Sequence, residues 1–226
     1  MWVDLDIRKV MQAGGRPFEL EVRLQAQSKR IVIQGPSGAG KSMTLKAVAG
    51  LLTPDIGRIL IGGRTFFDTD MAIDMPPRER RTGYLFQDYA LFPHLTVQQN
   101  VAFGLRHGWI NPRTSSQDQR VQEWLKAFDL EGLSRRYPHE LSGGQRQRTA
   151  LARTLVTRPD FLLLDEPFAA LDATLRQGMR SELKSLLQQL DVPMILITHD
   201  PEDVDVLGET VFRMENGSIV ADGGGA

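Results

Sequence analysis

Four fixed positions in Gly35-Pro36-Ser37-Gly38-Ala39-Gly40-Lys41-Ser42 match the pattern G-x-x-x-x-G-K-[ST]. That pattern grips a phosphate chain. Its glycines let backbone N–H groups turn inward around phosphate oxygens, and the N-terminus of a following helix adds partial positive charge. Lys41 would reach the terminal phosphates, and the Ser42 hydroxyl would sit on Mg²⁺. With glycine near 7% of residues, the four positions coincide by accident in about one chain of this length per hundred. The flanks sharpen the signal. Arg30-Ile31-Val32-Ile33 reads as a buried strand, and Met43-Thr44-Leu45-Lys46-Ala47-Val48-Ala49 as a helix closed by Gly50.

Further candidates lie downstream. Asp165-Glu166 ends the apolar run Phe161-Leu162-Leu163-Leu164, the profile of a central parallel strand. An acid there would hold Mg²⁺ opposite Ser42. Adjacent strand side chains diverge, so Glu166 can aim at a water in line with a terminal phosphate. In Leu141-Ser142-Gly143-Gly144-Gln145, Ser142 is a good N-cap for a helix over 146–156, and the glycines expose N–H groups at a second anion site. Gln87 and His199 each follow an apolar strand.

The elements that must position these residues follow from periodicity. Residues 2–9 and 18–24 alternate as half-exposed strands around a Gly14-Gly15 turn, and 57–67 repeat the pattern around Gly62-Gly63. Leu95 to Thr157 reads as helical. Thr96 N-caps a helix through Phe103, and a helix over 117–128 places Val121, Trp124, Leu125 and Phe128 on one face. Leu175, Met179, Leu183, Leu186, Leu187 and Leu190 trace another helix, and residues 193–198 another buried strand. Glu215-Asn216-Gly217 marks a closing hairpin, with the tail 222–226 expected to be disordered. Ligands of open parallel sheets bind beyond the C-terminal strand ends, so the phosphate loop, Gln87, Asp165 and His199 should share one crevice.

Composition narrows the classes. The 226 residues carry a formal net charge of −1, against a broad electrostatic grip on nucleic acid; Arg78, Arg80 and Arg81 form a local basic patch. The absence of cysteine excludes disulfides and thiolate chemistry. No run of about 18 apolar residues exists to span a membrane.

Taken in order, the phosphate loop, Gln87, LSGGQ at 141–145, FLLLDE at 161–166, Ala170-Leu171-Asp172 and His199 resemble the nucleotide-binding subunit of ATP-binding cassette (ABC) transporters over nearly the whole chain. The resemblance implies an α/β fold: a P-loop NTPase core with a mainly parallel sheet, an N-terminal antiparallel β layer and an inserted helical subdomain. One domain would fill 1–226, with the core at 1–92 and 158–226, the helical subdomain at 93–157, and no C-terminal regulatory domain. ATP contacts carry over to Gly35, Pro36, Ser37, Gly38, Ala39, Gly40, Lys41, Ser42 and Met43, and Mg²⁺ to Ser42, Gln87 and Asp165. Glu166, His199 and Gln87 would serve hydrolysis. Leu141, Ser142, Gly143, Gly144 and Gln145 would complete the site of a second chain in a head-to-tail homodimer, with Asp172 linking the two sites. A magnitude supports the second clamp: one helix N-terminus contributes at most about 2 kcal/mol to a nearby anion. Many relatives stack an aromatic on adenine; here Met11 or Phe18 stands nearest that place.

Residues 86–97 resemble bacterial importer ATPases. Tyr89, Leu91 and Phe92 would then dock a transmembrane permease, served by a periplasmic solute-binding protein, with the chain held on the cytoplasmic face of the inner membrane and no nucleic-acid partner. Pro77-x-x-Arg80-Arg81-x-Gly83-Tyr84 and abbreviated first strands look most like molybdate importer ATPases. Sulfate, polyamine, iron or sugar import, export, or a soluble non-transport ABC role are the alternatives.

Overall fold

The computed structural model describes residues 1–13, 16–105 and 118–223. The Gly14-Gly15 turn, the helix start at Gln117 and the tail beyond Gly223 lie outside the described residues. Strands β1 (Val3–Ala13), β2 (Arg16–Ala26) and β3 (Arg30–Gln34) lead into helix α1 (Lys41–Ala49). Next come β4 (Ile56–Ile61), β5 (Arg64–Asp68), β6 (Ile73–Asp74), α2 (Pro77–Arg80) and β7 (Thr82–Leu85). A helical stretch follows: α3 (Val97–Phe103), α4 (Gln119–Ala127) and α5 (Gly143–Leu155). The chain then returns through β8 (Phe161–Asp165), α6 (Ala173–Leu190), β9 (Met194–Thr198), α7 (Pro201–Leu207), β10 (Thr210–Glu215) and β11 (Ser218–Gly223).

All the strands join one sheet in the order β6-β5-β4-β1-β2-β11-β10-β3-β9-β8-β7. Its β10-β3-β9-β8-β7 half is parallel and its β6-β5-β4-β1-β2 half antiparallel. The central parallel strands β3, β9 and β8 are buried on both faces, so their alternate side chains enter two cores. Val32, Leu162, Leu164 and Leu196 face α3, α5 and α6, while Ile31, Ile33, Leu163 and Ile197 face α1 and the antiparallel strands. In β1 one face suffices: Val3, Leu5 and Ile7 are buried and alternate with outward residues such as Asp6 and Arg8, the signature of a half-exposed strand.

Three expectations change. The first hairpin is longer than the alternation suggests, with β1 and β2 paired from Val3↔Ala26 to Ala13↔Arg16, so the first strands are not abbreviated. Residues 222 and 223, expected to be disordered, pair with β10, because backbone hydrogen bonding does not require apolar side chains. Arg80 is no surface patch: it is 1% exposed and donates to the Ala47 and Val48 carbonyls at 2.7 and 2.9 Å and to Met75 O at 2.8 Å. It thereby caps the C-terminus of α1, where a cation meets the negative end of the helix. Burial pulls its pKa below the usual arginine value against the opposing pull of Asp74.

Among the described residues no helix is long and apolar enough to cross a membrane.

Candidate functional site

Strand register builds the site. Gln34 pairs with Thr198, and Asp165 with Ile197, so β3, β9 and β8 end at one level. The residues just beyond them therefore meet at the C-terminal edge of the sheet: the phosphate loop, His199 and Glu166. β7 ends beside them, with Leu85 opposite Leu164.

Glycine is required in the phosphate loop, most plainly at Gly40 and Gly35. Gly40 caps α1 with φ of +104°, and a Cβ there would lie 2.9 Å from Leu20 Cδ1 and Met214 Cε. At Gly35 a Cβ would stand 2.2 Å from the Met214 carbonyl. α1 carries no acidic residue in its first turn, which leaves its N-terminal amides and dipole to an anion. Lys41, buried, lays its ammonium over the loop, donating to Gly35 O at 2.8 Å and Pro36 O at 2.9 Å. Phe18 lies beside this loop, its Cζ 3.4 Å from a Cβ built on Gly40, and pairs across the hairpin with Met11.

Asp165 is 5% exposed and both its oxygens accept hydrogen bonds. Ser42 Oγ donates to Oδ1 and Tyr84 OH to Oδ2, each at 3.0 Å. Burial, with the adjacent Asp165 charge, raises the Tyr84 pKa and keeps its phenol protonated. Glu166 turns away with φ of +44°, a left-handed backbone costly for a residue with a Cβ and common where function imposes strain. Its amide donates to Ile197 O at 3.0 Å. The carboxylate then faces both ways: Oε1 lies 3.6 Å from Lys41 Nζ and Oε2 3.2 Å from His199 Nδ1. Ser42 with Asp165, and Lys41 with Glu166 and His199, thus stand together at the sheet edge, without the Gln87 expected in the same crevice.

Other candidates stand apart from it within a single chain. Gln87 is exposed in the turn after β7, and no hydrogen bond joins it to Ser42 or Asp165. Ser142 caps α5 as expected: its Oγ accepts from the Gln145 amide at 3.3 Å, while its own amide donates to Gln145 Oε1 at 2.9 Å. Ser142 is exposed, Leu141 and Gly144 buried, and Gly143 abuts Leu171 and Ala170. Asp172 is exposed and N-caps α6 through the Leu175 amide. No hydrogen bond or ion pair among the described residues links residues 141–145 or Asp172 to the phosphate loop.

Tyr89 does not offer a docking surface. With Ala90 it holds consecutive positive φ values of 63° and 43°, and the turn tucks its ring inward to 3% exposure, the hydroxyl facing Pro167 O at 3.4 Å. Arg153 of α5 fastens this turn by donating to the Tyr89 and Ala90 carbonyls at 2.7 and 2.6 Å. Leu91 and Phe92 are half-buried. Phe92 packs against Phe103, ring centroids 4.3 Å apart and tilted by 43°, in an open groove of about 380 Å³ with Tyr84, Phe86, Ala90 and Arg153.

Sequence reasoning placed Tyr84 in the run at 77–84 without a role at the site, and it missed Arg176 and Arg180, because each acts on a residue far along the chain.

No cluster of three or more His, Cys, Asp or Glu side chains among the described residues could hold a metal alone. Ser42 Oγ with Asp165 is a hard-oxygen pair that fits Mg²⁺ completed by phosphate oxygens and water.

This fold and this constellation define a nucleotide-binding cassette, and the chain belongs to the ABC transporter family, whose profile matches residues 20–169. It is 45% identical, over 94% of its length, to the sulfate/thiosulfate import ATP-binding protein CysA of Caulobacter vibrioides. To the trehalose/maltose import ATP-binding protein MalK of Thermococcus litoralis it is 44% identical over 90%. The chain spans 62% and 54% of these relatives' lengths. Among solved structures it resembles the ATP-binding cassette MJ0796, in a dimeric post-hydrolysis state bound to ADP and Pi. There the TM-score is 0.78 at 29% identity, over 98% of this chain and 97% of that one.

Proposed function

We propose that the chain is the ATP-hydrolysing subunit of an importer for an oxyanion of the sulfate type. The single observation that carries the hydrolytic reading is Glu166, held between Lys41 Nζ and His199 Nδ1 at the mouth of the phosphate loop. The α1 N-terminus and Lys41 bind the β- and γ-phosphates; Ser42 and Asp165, with Gln87, would hold Mg²⁺. Held there, Mg²⁺ would supply charge neutralisation to the phosphate oxygens. Glu166 orients the attacking water and draws its proton, and His199 keeps the Glu166 carboxylate aimed. Phe18, beside Gly40, covers the adenine.

The exposed Ser142 with Gly143, Gly144 and Gln145 completes the partner's site in a head-to-tail homodimer, and Asp172 reaches across the same interface. The dimeric state of the solved cassette MJ0796 supports that reading. A permease helix docks in the groove at Phe86 and Phe92, which holds the chain at the cytoplasmic face of the membrane and receives solute from a binding protein outside. The relatives named for sulfate/thiosulfate import favour that solute; molybdate receives no support from them.

The test is the mass of Glu166→Gln by light scattering. MgATP should raise it to about twice the 25.3 kDa of one chain. A mass unchanged by MgATP, in a protein that still binds nucleotide, would refute the shared site.

A further inference from the structure

His199 sits between two residues that are both tied into one ionic cluster, buried at Arg180 and Asp203. Before it, Thr198 Oγ1 donates to Asp203 Oδ2 at 2.6 Å; after it, the Asp200 amide donates to Thr198 Oγ1 at 3.0 Å. The centre of the cluster is Arg180, whose side chain is 4% exposed. Its guanidinium spends its edges on three carboxylates of α7 and its cap. Nε donates to Asp203 Oδ1 at 2.5 Å, Nη2 to Asp200 Oδ2 at 2.5 Å, and Nη1 to Glu202 Oε2. Arg176, one turn earlier on α6, donates to Asp200 Oδ2 and to the Leu171 carbonyl, both at 3.0 Å.

The Arg180 plane also lies over Phe168, at 5.9 Å from the ring centroid, two residues beyond Glu166. The same guanidinium is therefore braced against both segments that carry the Glu166–His199 pair. Its geometry is specific to arginine, since a planar fork can meet several carboxylates at once where an ammonium is a point charge.

We propose that Arg180 is a positioning residue for hydrolysis: it locks the N-terminus of α7 to α6 and thereby sets the backbone that aims His199 at Glu166. This rests on the reading of Glu166 and His199 as the hydrolytic pair. Through Arg176 and Leu171 the same clamp reaches the segment leading to Asp172, so a shift of α6 at that end is carried to His199.

The test compares the full chain with Arg180→Met, Arg180→Lys and Thr198→Val. Two readouts apply: kcat and KM for MgATP, and the His199 ring signals in protein carrying ¹³C-labelled histidine, identified by their loss in His199→Gln. Arg180→Met should lower kcat at least tenfold with KM within about twofold, and should move the His199 signals while those of the other three histidines stay. Arg180→Lys should recover part of kcat. Thr198→Val, which removes only a hydroxyl, should shift the same signals in the same direction, and it decides the matter if Arg180→Met does not fold. Unmoved His199 signals, or loss of kcat matched by loss of nucleotide binding in every variant, would overturn the proposal. A wild-type chain that binds but never hydrolyses ATP would instead overturn the functional reading, while the ring signals would still report on the clamp.

Discussion

The Tyr84 hydroxyl donates to Asp165 Oδ2 at 3.0 Å, across 81 residues of sequence, while Ser42 occupies Oδ1 of the same carboxylate. The buried acid at the end of β8 is thus satisfied on both sides, by β7 and by the first turn of α1. Tyr84→Phe removes one donor and leaves a buried charged oxygen short of a partner. We expect a loss of about 1–3 kcal/mol in unfolding free energy, read from denaturant titration.

The phosphate loop and the acid beyond it should separate binding from turnover. Lys41→Ala removes the ammonium at the loop and should weaken nucleotide binding itself, seen by calorimetry. Glu166→Gln keeps the shape and should bind MgATP normally, with turnover reduced by about 10²–10⁴-fold, the range for loss of a general base.

Asn100 is completely buried and ties residues 92–96 to α3. Its amide nitrogen donates to the Phe92, Leu95 and Thr96 carbonyls, and its oxygen accepts from the Phe92 amide. Asn100→Leu strands these buried backbone groups and should cost about 3 kcal/mol or more. Thermal unfolding checks this.

Glu140 gives a pH signature. The Tyr137 amide, and then Arg136, hold its carboxylate below the usual glutamate value of 4.5. A lowered folded-state pKa favours the folded state when the group is ionised, so its contribution is present above about pH 4.5 and vanishes as the pH falls through the folded value. Glu140→Gln should lower the melting temperature at pH 7, and the gap to wild type should close in acid. A gap constant from pH 7 to pH 3 would contradict the assignment.

The Asn216-Gly217 turn, the caps at Thr96 and Ser142, the glycine loop before α1 and the apolar strands β3, β8 and β9 could all be read from the sequence. Each is decided within a few residues by turn chemistry, capping hydrogen bonds or side-chain period. The positions of Asp165 and Glu166 were legible for the same reason, since a strand that ends in a given residue delivers it to the sheet edge, and Lys41 follows from the loop that opens α1.

Tertiary structure alone decided the rest. Arg80 reads as a surface cation until α1 presents its carbonyl end to it. Tyr89 reads as exposed until two left-handed residues turn it inward. Arg180 reads as one more charge on a helix until α7 packs its acids against it. Those contacts depend on β8 entering the sheet between β9 and β7, an arrangement of long-range pairings. The sequence by itself determined which groups could grip a phosphate and where each strand would release them. Only the packed sheet decided which buried partners would hold those groups still, because a buried charge must find its partner wherever the fold brings one close.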